Sequence, residues 1–308
     1  MSLDTARAIA TLNSLTATFK AQTEVANPLW PRLCTEVTSN RKSEDYGGLG
    51  SMPKVREWIG DRVFNKLRGG RFQIENRLWE DSLDIDREDL EDDTMGFYFP
   101  VMKELANEAM FHPDYLLVND CILAGDSTEC FDGQNFFDTD HSWGDSGTQS
   151  NKITSTAAVP ASPTLAECRT ALEAARIKLV SYKNDQGNLF IRNPIEDMQG
   201  LAAFVPPTMA QVMNDALIPI TIGTTPTRLI NPPTVSSLGY LTSATKFWVF
   251  YTGSPLKPFV FQKRRPLNWQ MKGLDDREFK AVKFMTDARY AVGFLAWWTA
   301  VQVEFVTP

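Results

Sequence analysis

Residues 51–93 restrict the possible folds of this chain more than any other stretch. Val55–Ile59 and Arg71–Trp79 have the composition of β-strands, and apolar residues alternate along the second of them. A polar segment that ends in Gly69-Gly70 lies between them, so the pattern predicts a long β-hairpin. Because a two-stranded ribbon is only marginally stable in water, we expect the hairpin to lie on a partner surface.

The same region carries two blocks of opposite charge. Residues 54–71 hold six basic side chains against two acidic ones, net +4, and residues 80–93 hold nine acidic side chains against one basic one, net −8. Opposite charges across an interface fix register and specificity more than they add affinity. We therefore predict that the two blocks form an interface between copies of the chain. The alternative is that both blocks are simply solvated. The predicted interface residues are Arg62, Lys66, Arg68, Arg71, Asp86, Glu88, Asp89, Glu91 and Asp92.

Apolar residues spaced by three and four predict four helices. They cover Leu3–Phe19, about 95–110, Pro113–Leu123 and 164–180. The buried stripe of the second helix would be Phe97, Val101, Leu105 and Ala109. Pro113 and Gly125 would begin and end the third helix. Thr164 and Glu167 match a capping box at the start of the fourth.

The second half of the chain has the pattern of short strands and turns. A loop rich in Gly, Ser, Asp and Thr covers residues 125–162, which is too long for a simple connection. The strands predicted after it are Leu201–Val205, Lys246–Tyr251, Phe259–Gln262, Glu278–Met285 and Tyr290–Phe305. Helices and strands in this order predict the α+β class.

Charge and composition exclude several classes of protein. The formal net charge of −7 is wrong for a protein whose affinity depends on gripping phosphates, although it suits a wall that only encloses DNA. No stretch reaches the roughly 18 apolar residues of a membrane span, and the first residues lack the basic and apolar regions of a secretion signal. The four cysteines form no CxxC pair, which predicts buried, reduced thiols in a cytosolic protein.

The inventory of reactive residues is small. His112 and His141 are the two histidines of the chain, and no phosphate-binding glycine loop or nucleophile elbow is present. Residues 138–141 (Asp-Thr-Asp-His) offer possible metal ligands, but no second cluster completes a site. A turn in which Asp and His bind local backbone groups is the commoner role. We therefore predict no catalytic, cofactor-binding or metal-binding residue.

Three segments together resemble the Mu-like major head subunit family of tailed bacteriophages. They are Arg56–Arg62, Leu83–Asp93 and Phe131–His141, and the last, a DGQ-x-FF-DTDH segment, is the most specific. Ser142 departs from the family pattern, in which proline often follows the histidine. The order and spacing of the segments match over roughly residues 45–308.

This resemblance implies the Hong Kong 97 (HK-97) phage capsid fold and the function of a major capsid protein. Copies would form pentamers and hexamers of an icosahedral shell around double-stranded DNA, with no cofactor and no contact with membrane. Implied partners are other copies, scaffolding and portal proteins, possible decoration proteins and weakly contacted DNA, in a virion assembled in the host cytoplasm. The implied division is an N-terminal arm (1–50), an extended loop (51–93), a peripheral domain with a long spine helix (94–183), an axial domain (184–260) and a return to the peripheral domain (261–308).

Three alternatives stay open. A nanocompartment shell protein would share the fold but lack the DGQ-x-FF-DTDH segment. An enzyme with an undetected site is disfavoured by the scarcity of histidine, and a tail-tube or sheath protein by the order of hairpin and spine helix. Some capsids of this fold join a loop lysine to an asparagine of a neighbour. Lys66 lies in a comparable place, but we predict no such cross-link.

Overall fold

The computed structural model describes residues 3–46, 72–86, 88–89, 96–191, 198–222, 225–227, 229–272 and 281–308. Its helices are α1 (Leu3–Val25), α2 (Trp30–Leu33), α3 (Tyr98–Leu116), α4 (Leu165–Ser181) and α5 (Ala210–Leu217). Its strands are β1 (Cys34–Thr38), β2 (Ser43–Asp45), β3 (Gln73–Glu75), β4 (Arg77–Asp86), β5 (Lys152–Thr156), β6 (Leu201–Val205), β7 (Ile220–Ile222), β8 (Thr225–Thr227), β9 (Thr234–Ser237), β10 (Lys246–Tyr251), β11 (Phe259–Lys272), β12 (Ala281–Phe294) and β13 (Ala300–Val306). Within these ranges, no helix is long and apolar enough to cross a bilayer.

The first sheet has the strand order β1-β11-β12-β4, and all its pairs except β1–β11 are antiparallel. Burial alternates along β12, which is the pattern of a sheet with one covered face. Ile85, Val282 and Phe284 on that face pack against α1 and α3. Leu12 and Leu15 of α1 are fully buried in this contact. The first sheet is therefore a one-sided layer under two helices.

The second sheet has the order β5-β13-β10-β6-β9 and is apolar on both faces. All five residues of β6 are buried, as are five consecutive residues of β10. Continuous apolar runs of this kind arise where a strand is covered from both sides. Helix α4 packs on β5, β13 and α5. Two small sheets, β2-β3 and β7-β8, complete the described structure.

One apolar core joins the two sheets. The chain passes from β12 of the first sheet through a short 3-10 turn, Trp297–Thr299, directly into β13 of the second. Phe136 packs on Phe294 and Phe259 with ring centroids 4.7 and 5.2 Å apart. Phe259 also contacts Phe250 of β10 in the second sheet, with ring centroids 5.5 Å apart. Because aromatic side chains bury large areas, this group of rings connects the two sheets.

Local sequence patterns predicted several elements correctly. β6 and β10 have the predicted bounds, and the predicted helix at Leu3 continues six residues beyond Phe19 to Val25. The capping box is present, since Glu167 N donates to Thr164 Oγ1 while the Glu167 carboxylate accepts from Thr164 N at 2.6 Å. Each of these signals depends on residues that are close in sequence.

The predicted break at Pro113 is wrong. Helix α3 runs through Pro113 to Leu116 and continues as a π-helical segment, Leu117–Leu123. Proline at a first position and a following glycine are also the marks of a new helix, so the sequence signal was ambiguous. The four buried residues Leu117, Val118, Cys121 and Ile122 pack in the main core, and that burial keeps the helical segment continuous.

The predicted stripe of α3 is correct at Leu105 and wrong at Phe97 and Val101. Phe97 is 69% exposed and Val101 is 43% exposed, whereas Met102, Leu105 and Ala106 are buried. A strict four-residue repeat advances about 40° around an α-helix at each step, because 3.6 residues complete a turn. The buried face instead follows mixed steps of three and four residues.

The late strands have different bounds from those predicted. Glu278–Met285 and Tyr290–Phe305 were expected as separate strands, but β12 is continuous from Ala281 to Phe294 and β13 begins only at Ala300. The polar residues in the middle of β12 resemble a break. They stay in the strand because β12 pairs without interruption with β4 from Ala281 to Tyr290 and pairs with β11 on its other side.

The predicted hairpin is described only in its second half. Its first strand, Val55–Ile59, and its tip lie outside the described residues. Its second strand is divided at buried Asn76, whose Nδ2 donates to Ser39 Oγ at 2.8 Å. β3 then pairs with β2, and β4 pairs with β12. Because of this division Ile74 is buried while Leu78 is exposed, so the predicted single apolar face is wrong.

Candidate functional site

Strand β4 carries the first part of the acidic block at one edge of the first sheet. Glu80, Asp84 and Asp86 are exposed and alternate with residues that face the core. Asp84 pairs with Lys283 at 3.7 Å, and both side chains are about half exposed. Within the described part of the chain β4 has a paired strand on one side alone. An acidic edge of this kind discourages pairing with arbitrary strands and favours a basic partner.

Three of the nine predicted interface residues can be located. Asp86, Glu88 and Asp89 are all exposed. The other six lie outside the described residues, namely Arg62, Lys66, Arg68, Arg71, Glu91 and Asp92. The interface between copies therefore stays a prediction.

The segment Phe131–His141 is closed by buried polar contacts. The Asp132 carboxylate accepts hydrogen bonds from Cys130 Sγ at 2.9 Å and from Gln134 N at 3.3 Å. Its other oxygen lies 2.7 Å from Nδ1 of His141, and both side chains are fully buried. The His141 ring stacks on Trp297 with centroids 4.1 Å apart. Asp132 and His141 thus close the loop and hold it against the turn between the two sheets.

The two phenylalanines of this segment are core residues. Phe136 and Phe137 are buried, and Asn151 Nδ2 donates to the Phe136 carbonyl at 2.6 Å. A Cβ at Gly125 would lie 2.6 Å from the Phe137 ring, so only glycine fits there. The segment that is most specific to the resembled family is therefore the structural link between the sheets.

The predicted local turn is correct for Asp138 and wrong for His141. The Asp138 carboxylate accepts from Thr139 N at 2.7 Å and from Asn135 N at 3.3 Å. His141 instead pairs with Asp132, nine residues earlier. Sequence reasoning missed Asp132 because nothing in the spacing shows which acid a buried histidine will meet.

Among the described residues, one group could hold a metal ion, namely Cys130, Asp132 and His141, whose ligand atoms lie within 4.8 Å of one another. Zinc bonds of about 2.0–2.3 Å in a tetrahedron place neighbouring ligand atoms roughly 3.3–3.6 Å apart. The contacts here are 2.7 and 2.9 Å, which are hydrogen-bond lengths with the protons in place. Cys130 and His141 are therefore hydrogen-bond partners of the buried Asp132 carboxylate.

The thiols have no reactive character. All four cysteines are free and buried. Burial raises the pKa of Cys168 to about 11 and raises the pKa of Cys34, Cys121 and Cys130 as well. They are protonated at neutral pH, and a thiol is a weak nucleophile.

An aromatic cluster lies between α3 and the first sheet. His112 Nδ1 is 2.7 Å from the Tyr290 hydroxyl, and Trp79 Nε1 donates to the Tyr290 carbonyl at 3.1 Å. The Trp79 and His112 rings are 4.5 Å apart. From the sequence, His112 was predicted only to stand at a helix boundary. Its partner Tyr290 is 178 residues away, and no local signal connects them.

The outer face of α3 leaves large apolar side chains uncovered. Phe97, Val101, Phe111 and Tyr115 are all at least 40% exposed, and Tyr115 has an edge contact with Tyr240. Scattered exposed apolar residues are ordinary. Three on one helix and a fourth at its N-cap favour a face that meets another protein surface.

The family model for the Mu-like prophage major head subunit gpT matches residues 9–165 and 231–305. A Mu-like prophage FluMu major head subunit of Haemophilus influenzae is 39% identical over 123 residues. The major capsid protein of Escherichia phage Mu is 34% identical over 123 residues. Each match covers 40% of this chain and 40% of the relative, so the aligned part spans less than half of either relative.

The fold is also found in solved phage capsids. The procapsid of bacteriophage JBD30 aligns with a TM-score of 0.53 at 24% identity, over 97% of this chain and 76% of that chain. At this level of identity the likeness shows the fold alone, which is the HK-97-like capsid fold that the sequence predicted.

Proposed function

Because the chain belongs to the family of Mu-like prophage major head subunits, we propose that it is the major capsid protein of a Mu-like tailed bacteriophage. Its function is to assemble with copies of itself into a closed shell, and it carries no catalytic site. The observation that carries this proposal is the family match, which includes the Phe131–His141 segment. The capsid fold supports it.

The finer features of the shell are part of the same proposal. Pentamers and hexamers close an icosahedral container around double-stranded DNA, inside the bacterial cytoplasm and later in the virion. Scaffolding and portal proteins, and possible decoration proteins, are its further partners. The net charge of −7 supports weak contact with DNA, since a surface that grips phosphates needs positive charge.

The domain division is also proposed. The proposed division keeps the arm (1–50), the extended loop (51–93), the peripheral domain (94–183 with a return at 261–308) and the axial domain (184–260), and the first sheet takes β1 from the arm and β4 from the loop. The sequence grouped α4 with the spine helix, but its packing on β5, β13 and α5 favours the axial domain. Residues 281–294 return to the first sheet, whereas 300–306 lie inside the second.

Assembly of the purified chain tests this function. Negative-stain microscopy and sedimentation velocity are expected to show pentamers, hexamers or closed shells. A chain that stays monomeric at high concentration contradicts the proposal. Particles isolated from an induced lysogen are expected to contain double-stranded DNA, whereas particles that contain only cargo protein favour the nanocompartment alternative.

A further inference from the structure

A small cavity opens beside the aromatic cluster, between α3 and the first sheet. Its volume is about 210 Å³, and rings of Trp79, His112 and Tyr290 form part of its wall. Sites for drug-sized molecules measure roughly 300–1,000 Å³, so this cavity suits a single side chain. The hydrogen bond that Trp79 Nε1 donates to the Tyr290 carbonyl and the contact between His112 Nδ1 and the Tyr290 hydroxyl hold the rings in place before anything enters.

The rim of the cavity is acidic. Its charged lining residues are Glu80, Asp81, Glu108 and Asp287, and no lysine or arginine of the described part of the chain lines it. Burial lowers the pKa of His112, so its imidazole is neutral at pH 7 and does not offset these charges.

Two of the four carboxylates already have partners within the chain. Asp81 accepts from Ser82 N at 2.8 Å, and Asp287 pairs with Arg265 at 2.6 Å. Glu80 and Glu108 are exposed and form no ion pair with any residue in the described ranges. The cavity therefore presents two uncompensated carboxylates next to aromatic faces, which is the combination that binds an ammonium or guanidinium group.

The chain itself supplies a matching partner. Residues 54–71 carry six basic side chains against two acidic ones. From the cavity, the acidic row of β4 continues through Asp84 and Asp86, so a basic segment that enters at Glu80 meets further negative charge along the strand. We propose that in the assembled shell this cavity receives a lysine or arginine side chain from residues 54–71 of a neighbouring copy. This inference rests on the proposed shell function.

Charge exchange between two variants tests the inference. One variant reverses the cavity (Glu80→Lys with Glu108→Lys), and the other reverses the basic segment (Arg62→Glu, Lys66→Glu and Arg68→Glu). Each alone is expected to yield at least tenfold fewer shells than the unchanged chain, measured by sedimentation and electron microscopy. A third variant that carries all five reversals is expected to restore shells, because its acidic segment then meets a basic cavity in every neighbouring copy.

The control is Glu104→Lys, a reversal at an exposed residue of α3 that does not line the cavity. Its shell yield is expected to stay within twofold of the unchanged chain. Circular dichroism melting checks that all variants are folded.

The outcomes separate this inference from the proposed function. If the unchanged chain forms no shells, the proposed function fails. If it forms shells and the cavity variant does so equally well, only the inference is overturned. Defective variants that the five combined reversals do not rescue also overturn it, because assembly then does not depend on charge complementarity between the cavity and the basic segment.

Discussion

The two sheets of the molecule differ in how they use their surfaces. In the second sheet, β6 is buried at every position and β10 at five of six. In the first sheet, β4 is buried at one position of ten and exposes an acidic row. The second sheet therefore supplies cohesion within one copy, whereas the first sheet keeps polar and charged groups available for contacts with others.

The link between the sheets belongs to the cohesive region. Phe136, His141 and Trp297 are buried at the junction. In contrast, Val101, Phe111 and Tyr115 of α3, which covers the first sheet, are exposed. Changes at the junction should therefore unfold the chain. Changes on the outer surfaces should leave the fold intact and act on assembly alone.

The largest effect is expected for Phe136→Ala. Phe136 is fully buried and packs on Phe294 and Phe259, so its removal leaves a cavity where the sheets meet. The expected loss in free energy of unfolding is about 3–5 kcal/mol, measured by urea denaturation. The matched control is Phe97→Ala at the N-cap of α3, where the ring is 69% exposed and a loss below about 1 kcal/mol is expected. Equal losses at the two positions would break the comparison.

A smaller loss is expected for Asp132→Asn. The change keeps the shape but removes the charge that accepts bonds from Cys130 and lies 2.7 Å from His141. Hydrogen bonds to charged groups are worth roughly 1.5–3 kcal/mol, so a loss in this range is expected by urea denaturation. Asp140→Asn, at an exposed position of the same segment, should change stability by less than about 0.5 kcal/mol. A neutral result for Asp132→Asn would mean that the buried pair does not hold the loop.

The N-terminus of α4, the helix that packs on the second sheet, gives a third test. Thr164→Ala removes the N-cap of α4 and is expected to lower the free energy of unfolding by about 1 kcal/mol at pH 7. Hydrogen bonds from the backbone of Thr164 and Ala158 lower the pKa of Glu167 below its ordinary value of 4.5. Because the folded pKa of Glu167 is lowered, the stabilisation that its carboxylate contributes is present above pH 4.5 and is lost as the pH falls through the folded pKa.

Unfolding measured between pH 7 and pH 3 checks the sign of this effect. Glu167→Gln keeps the side-chain length but does not titrate, so its stability should fall less with acidification than that of the unchanged chain. An identical fall in both proteins would show that Glu167 does not contribute to the acid sensitivity.

Elements that depend on neighbours in sequence could be predicted. β6 and β10 were predicted residue by residue because burial on both faces produces an uninterrupted apolar run. The capping box was predicted because both partners lie within one turn. The phage capsid fold itself followed from the resemblance of three segments, and the family match agrees with it.

Contacts between distant residues could not be predicted. β12 continues through its polar middle because it pairs with β4 and β11, although the sequence there resembles a break. The Asp132–His141 pair and the His112–Tyr290 contact join side chains whose proximity only the folded chain creates. The acidic block was evident from its charge. Its first seven residues lie in strand β4 because β4 pairs with β12, and the sequence does not show that pairing.

The smallest effect on stability is expected for Lys283→Ala on the outer face of the first sheet. Lys283 pairs with Asp84 at 3.7 Å with both side chains about half exposed, and exposed pairs contribute at most about 1 kcal/mol.

The change also removes a positive charge from the acidic surface, which should strengthen its attraction for a basic segment of a neighbour. Assembly followed by light scattering should therefore be faster at low salt, and the gain should vanish at high salt, where charges are screened within about 3 Å at 1 M. Lys103→Ala, at an exposed residue of α3, serves as the control for a lost charge elsewhere. If both variants assemble at the same rate at low salt, the acidic row of β4 is a solvated surface, and cohesion between copies must come from the apolar face of α3.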